Sequence, residues 1–246
     1  MSRFFAFPEN IDFSSAILLE EEAYHLCKVL RFKAGDEVQV FDGIGHEWLA
    51  EVEEINKSNV KLLLKRELTN TVESNLAITL VQGLIKGEKF EIAIQKATEL
   101  GVNNIIPLIS QHTDIKVSEN SFEKKVNNRL ERWQRIALEA TKQSGRRCLP
   151  NILLPVSFSG LITQATSPVI FFSERGGDNI RTISEKIVKP ESITAVVGSE
   201  GGWSEEEIEL AKKAGFYIAS LGTRILRAET AGITALALLQ HTWGDI

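Results

Sequence analysis

The residues with the most evident chemical use lie near the C-terminus. Gly198, Gly201 and Gly202 follow a short apolar run, Ile193 to Val197, and Gly222 follows a second, Phe216 to Leu221. Glycine at such a place lets the backbone approach a ligand with no Cβ in the way and admits positive φ. Gly201-Gly202 leads into a helix start, whose free N–H groups favour anions and other hydrogen-bond acceptors. Glu200 sits within the first glycine cluster, and Arg224, Arg227 and Glu229 follow the second. One glycine-bearing turn is ordinary punctuation between a strand and a helix. Two of them, accompanied by these charges, predict a ligand site at the C-terminal ends of strands, where open α/β sheets bind.

The elements that must position these residues can be read from pattern. Ser204 with Glu207 three residues on is a capping box, and Ile208, Leu210, Ala211 and Ala214 continue the helix until Gly215. A last apolar helix runs to Trp243. Upstream, Val169 to Ser173 reads as a strand ending in Ser173-Glu174-Arg175-Gly176-Gly177, a third strand-end loop, with a short helical turn at Leu161 to Ala165 before it and a helix at Asn179 to Lys189 after it. Leu76 to Leu84 and Asn103 to Ile109 read as strands flanking a helix, Glu88 to Leu100, which presents Phe90, Ala93, Ile94 and Ala97 on one face. The segment Glu123 to Ser144 is a long helix with a buried stripe of Val126, Leu130, Trp133, Ala137 and Ala140. Strands alternating with helices imply a mostly parallel sheet from residue 75 to 246.

Residues 1–70 have another character. Short strand-like runs at Val38 to Phe41, Trp48 to Val52 and Val60 to Leu64, punctuated by Gly and Asn turns, suggest a small β-barrel. Ala23, Leu26, Cys27 and Leu30 fall at helical spacing, so Glu20 to Arg31 reads as one amphipathic helix whose other face carries His25, Lys28 and Arg31. The polar stretch Thr69 to Asn75 reads as the linker.

Composition sets limits. The chain of 246 residues is 43% hydrophobic and 25% charged with a net charge of -5, so the molecule as a whole is not a basic nucleic-acid binder. A local face would have to do that work. From Ser118 to Pro150 there are eight Lys or Arg against four Glu (119, 123, 131 and 139); the eight are 124, 125, 129, 132, 135, 142, 146 and 147. Such a stretch can hold phosphates by counterion release, although a charge run is also the ordinary face of a solvated helix. Glu139, Gln143 and Arg146 share one face if the helix continues through them. Cys27 and Cys148 give neither a disulfide framework nor a zinc set, and the four histidines have no ligand spacing, so no metal is expected and a reducing cytoplasm fits. The N-terminus lacks the apolar core of a signal peptide, and no run is long enough to span a membrane.

The stretches G-S-E-G-G-W-S and S-L-G-T-R-I-L-R-A-E-T-A resemble the S-adenosyl-L-methionine (SAM) binding end of the SPOUT methyltransferases, and most closely the RsmE family, which methylates N3 of a uridine in small-subunit (16S) ribosomal RNA. The similarity extends to K-G-E-K-F-E-I-A-I-Q-K-A-T-E-L-G-V, to E-A-T-K-Q-S-G-R-R, and to R-F-F, H-L-C-K-V-L-R, G-D-E-V and F-D-G-I-G in a PUA-like RNA-binding domain. Where the family usually has proline this chain has Ser199, and Trp203 stands where phenylalanine is frequent. The serine is expected to leave the loop less rigid before ligand binds.

The resemblance implies a PUA-like β-barrel over 1–70 and a SPOUT domain over 75–246, with the C-terminal loops threaded as a trefoil knot and two copies forming a homodimer. It implies SAM held by Phe172, Ser173 and Glu174, by Gly198, Glu200, Gly201 and Gly202, and by Leu221, Gly222, Ile225, Leu226, Arg227, Thr230 and Ala231. The implied RNA contacts are Arg3, His25, Arg31, Lys86, Gln143, Arg146 and Arg147, and the implied partner is small-subunit rRNA or the assembled subunit. Uracil N3 becomes a nucleophile only when its proton leaves, and a cation or an N–H donor aimed at the carbonyl oxygens stabilises the charge that results. Arg227 is the candidate, with Arg3 or Arg31 as helpers; Glu200 or Glu229 could accept the proton, although Glu229 also suits capping or loop bracing. A SPOUT enzyme for another RNA, or an RNA-binding protein without activity, remains an alternative at this point.

Overall fold

A computed structural model of the chain describes residues 1–69, 72–113, 122–166 and 168–246, the side chains of 122–127 excepted. Two residues of the expected linker, Glu119, and the side chains of Glu123, Lys124, Lys125 and Val126 therefore lie outside the described residues.

The chain divides into two compact units, Met1–Glu73 with Thr141–Leu149, and Ser74–Ala140 with Pro150–Ile246. The boundary near residue 73 follows the polar stretch; the return of Thr141–Leu149 to the first unit is not visible in composition.

The first unit is a curled five-stranded sheet in the order β1-β3-β4-β5-β2, formed by β1 (Arg3–Phe5), β2 (Ser15–Leu19), β3 (Glu37–Phe41), β4 (Glu47–Ile55) and β5 (Asn59–Glu67). All its pairings are antiparallel except β1 with β3. Alternate residues point inward, as a strand's two-residue period requires: Val38 and Val40, Ala50 and Val52, Val60 and Leu62 share one core with Phe4 and Leu18. The sequence reading missed β1 and β2. It also overextended the helix at 20–31. Only Glu20–Tyr24 (α1) is α-helical, His25–Val29 is a π-turn, and Arg31 has a left-handed backbone (φ 61°). Leu26 is buried but Leu30 is exposed, so the apolar stripe ends one turn early.

The second unit holds a parallel sheet in the order β12-β10-β11-β6-β7-β8, made of β6 (Ala77–Gly83), β7 (Asn104–Ile109), β8 (Asn151–Ile152), β10 (Val169–Phe172), β11 (Ser192–Val197) and β12 (Tyr217–Ala219), with β9 (Val156–Ser157) also pairing β7. Both faces are covered, which is why β10 and β11 read as unbroken apolar runs. Ile170, Phe172, Ala195 and Val197 join a core with α2 (Lys89–Glu99), α3 (Phe122–Ser144), α5 (Ile180–Lys186) and α7 (Ala228–Trp243). Val169, Phe171 and Val196 face a second core containing Phe158 and Leu161 of α4 (Phe158–Gln164), Ala211 of α6 (Glu205–Lys213), and Trp203. Because β10, β11 and β12 are parallel neighbours, their C-terminal loops emerge along one edge of the sheet.

Candidate functional site

Those three loops enclose one cavity of about 540 Å³. The loop after β10 contributes Phe172, Ser173 and Glu174, and the loop after β11 contributes Gly198, Glu200, Gly201 and Gly202. Beyond β12 come Leu221, Gly222, Ile225, Leu226 and Arg227, with Ala231 from the first turns of α7. Of the expected ligand-site residues, Thr230 and the candidate Glu229 are not on the wall. The lining includes Arg224, which the sequence had placed beside the second glycine loop, and Ser199 and Trp203 of the first; it adds Lys89, which pattern did not single out.

The glycine loop after β11 is fixed from several sides. Gly83 in β6 lies so close that a Cβ there would stand 2.4 Å from the Ser199 backbone nitrogen. Gly202 has φ +65°, and a Cβ there would meet the Glu174 carboxylate at 2.6 Å. Trp203 is 1% exposed; its ring packs on Phe171 with centroids 4.3 Å apart, and its indole N–H donates to the Phe172 carbonyl at 2.8 Å. That hydrogen bond ties the second loop to the end of β10, which a phenylalanine could not do. Ser199 is almost buried, and its hydroxyl donates to the His112 carbonyl at 3.3 Å. His112 Nδ1 lies 3.1 Å from the Gly201 carbonyl. The serine thus supplies a brace between this loop and the turn after β7, where a looser loop was expected. The capping box of α6 is formed as read: Glu207 accepts from the Ser204 N–H while the Ser204 hydroxyl accepts from the Glu207 N–H, and Glu207 also accepts from the Gln111 N–H at 2.9 Å.

Charge is placed deliberately at this cavity. Lys89 donates to the Glu200 carboxylate, and that hydrogen bond, with the Lys86 backbone N–H as a lesser contributor, holds the Glu200 carboxyl below the usual carboxylate range. Arg227 is exposed at the N-cap of α7. A cation there is opposed by the helix dipole, so its position favours a negative ligand group rather than helix stability. Glu229, in the first turn of the same helix, has its Oε2 buried with no hydrogen-bond partner among the described residues.

The other candidates sort differently. Lys86, Gln143 and Arg31 are exposed, and His25 is half-buried with its ring edge-on to Phe4. Arg3, Arg146 and Arg147 are occupied inside the first unit. Arg3 donates to Glu47 at 2.6 Å and to the carbonyls of Thr141, Lys142 and Arg146. Arg147 donates to the other Glu47 oxygen at 3.0 Å, and Arg146 to Glu73 at 2.8 Å. Arg146 and Arg147 are 3% and 8% exposed, and Arg146 lies beyond the end of α3, after Gly145 at φ +82°. The shared helical face expected for Glu139, Gln143 and Arg146 therefore does not form. These three arginines are placed as internal cations, each paired with a carboxylate of the first unit. Burial pushes the Cys148 thiol up, which argues against a nucleophilic cysteine.

A family model described as RNA methyltransferase domain matches residues 72–240, and one described as RNA methyltransferase PUA domain matches residues 18–65. The ribosomal RNA small subunit methyltransferase E of Synechocystis sp. is 35% identical over 234 residues, covering 94% of this chain and 74% of that protein. This chain belongs to the ribosomal RNA small subunit methyltransferase E family. A protein of that name from Neisseria gonorrhoeae, crystallised with bound S-adenosyl methionine, has a TM-score of 0.89 at 33% identity over 100% of this chain and 99% of its own. A methyltransferase of Legionella pneumophila in complex with SAM gives the same TM-score and identity over 99% and 98%. Within this SPOUT methyltransferase family with its PUA domain, the α/β architecture described above is the shared one.

Proposed function

We propose that the chain is a SAM-dependent methyltransferase that methylates N3 of a uridine in 16S rRNA. The observation that carries this is the single cavity at three parallel strand ends, built from glycine-rich backbone in a member of this family. Its volume is in the range of small-molecule sites, and one wall is apolar through Leu221, Ile225 and Leu226, as a purine ring requires. The glycine loop offers backbone groups to a ribose, and the residues present fit the cofactor.

SAM supplies a methyl group already activated by its sulfonium, so the protein's work is alignment and charge. Arg227 lines the cavity at the N-terminus of α7, and a guanidinium there together with the positive end of the helix stabilises the negative charge that spreads over the uracil carbonyls when N3 loses its proton. Glu200 is ionised at neutral pH and can take that proton, but its lowered pKa makes it a weak base. The cation must therefore carry most of the activation. The N-terminal unit is assigned to RNA binding, the loops to a trefoil thread, the active form to a homodimer, and the compartment to the cytoplasm. Among the described residues no helix is long and apolar enough to cross a membrane, and no group of three or more metal-ligating side chains occurs.

Single-turnover transfer by Arg227→Ala at saturating SAM tests the catalytic assignment. A rate reduced about a hundredfold is expected, of the order seen when one charge-stabilising donor is removed. An unchanged rate would remove Arg227 from the chemistry.

A further inference from the structure

Two β-turns meet at the glycine loop. In the first, just after β7, the Thr113 N–H donates to the Ser110 carbonyl at 3.1 Å. In the second, the Gly202 N–H donates to the Ser199 carbonyl at 3.1 Å, and Glu200 and Gly201 form the corner. His112 belongs to the first turn, is not on the cavity wall, and holds the second turn at two points. Its carbonyl accepts from the Ser199 hydroxyl at 3.3 Å, and its ring Nδ1 lies 3.1 Å from the Gly201 carbonyl oxygen. A carbonyl only accepts, so that ring nitrogen carries the hydrogen. The turns are in close contact, since a Cβ on Gly201 would stand 2.6 Å from the His112 Cβ. The first turn is itself held: the Ser110 N–H donates to the Thr113 hydroxyl at 2.9 Å, and the Gln111 N–H to Glu207 at 2.9 Å.

We propose that His112 is a positioning residue, which clasps the Ser199–Gly202 turn from outside the cavity and so sets the affinity for SAM. The inference rests on the reading of the cavity as a SAM site. Glycine at 201 and 202 leaves this stretch of backbone many conformations when nothing holds it. Ordering it only on binding would cost affinity, and a loop ordered beforehand avoids that cost. A proline at 199 would restrict the loop through its own φ. Ser199 has no such ring, and its hydroxyl, engaged by His112, restricts the loop through a tertiary contact instead. The second point of the clasp acts on the peptide that follows Gly201. That unit is planar, so a carbonyl fixed by the His112 ring also fixes the Gly202 N–H. The clasp acts before the ligand arrives. Once SAM fills the cavity the loop is ordered in either case, so the methyl-transfer step is not its point of action.

The test is calorimetric titration of SAM into wild type, His112→Ala, His112→Asn and Gln111→Ala, with the single-turnover rate at saturating SAM measured beside it. The His112 ring is exposed, so its removal opens no hole in a core and the variants should fold. Asparagine restores an N–H donor close to the place of Nδ1. Gln111→Ala changes the neighbouring exposed side chain and keeps the backbone N–H that serves Glu207. His112→Ala should weaken SAM about three- to tenfold, the net worth of one hydrogen bond. His112→Asn should recover most of that loss, and Gln111→Ala should stay within about twofold of wild type. The saturating rate should be unchanged in all four proteins, and nitrogen NMR of wild type should find the neutral His112 ring protonated at Nδ1. Unchanged SAM affinity in His112→Ala would overturn the proposal. So would an equal loss in the alanine and asparagine variants, a neutral ring protonated at Nε2, or a reduced saturating rate with SAM affinity intact. A wild-type protein that binds no SAM would instead overturn the SAM-site reading beneath it.

Discussion

At the scale of single residues, Trp203 joins two loops of the cavity through one indole N–H. Trp203→Phe keeps most of the packing on Phe171 but leaves the Phe172 carbonyl without that donor in a buried place. The expected loss is about 1–3 kcal/mol of stability, measured by denaturant unfolding, with weaker SAM binding beside it; a variant as stable as wild type would show that the bond contributes nothing. Glu200 gives a pH prediction. Its folded pKa is lowered, so the stability it adds is present above the ordinary carboxylate value and is lost as pH falls through the folded value. The Tm difference between wild type and Glu200→Gln should therefore narrow on acidification, and a gap that stays constant would contradict the Lys89 pairing. The glycines and Arg227 were legible in the sequence because their types are unusual where they stand. Lys89 was not, since a lysine at a helix start looks solvated and its partner lies 111 positions away.

At the scale of elements, the end of α3 is held by charge. Glu47 accepts from both Arg3 and Arg147, and its carboxylate is 7% exposed. Glu47→Ala leaves two cations in a poorly solvated place and is expected to cost about 3–5 kcal/mol, read as a lower urea midpoint; a cost under about 1 kcal/mol would mean that water replaces the carboxylate. Helical spacing led Arg146 to be placed on a face with Gln143. It failed there because the left-handed glycine at 145 redirects the chain, and sequence spacing carries no information past such a residue. The missed strands have a related cause. The three residues of β1 are defined by pairing with Gln39 to Phe41 and not by any local pattern, whereas the long runs of β6, β10 and β11, buried on both faces, were readable from apolar content alone.

At the scale of the whole molecule, a chain of net charge -5 works on a polyanion by concentrating cations locally, and the exposed cations among the candidates are Arg31 in the first unit and Lys86, Arg224 and Arg227 in the second. The sequence offered the polar stretch Thr69–Asn75 as a linker, and one division between the compact units falls within it, at Glu73; the return of Thr141–Leu149 to the first unit was not legible, because it involves ionic contacts among residues distant in sequence. The central claim is that this family member transfers methyl from SAM to a uridine of small-subunit rRNA. It is tested most directly by incubating the protein with labelled SAM and small ribosomal subunits that lack the modification, with naked rRNA and tRNA in parallel, and mapping the labelled nucleotide. Label at N3 of a single uridine in the small-subunit rRNA is the result predicted, and label confined to tRNA, or no label in any RNA, would contradict it.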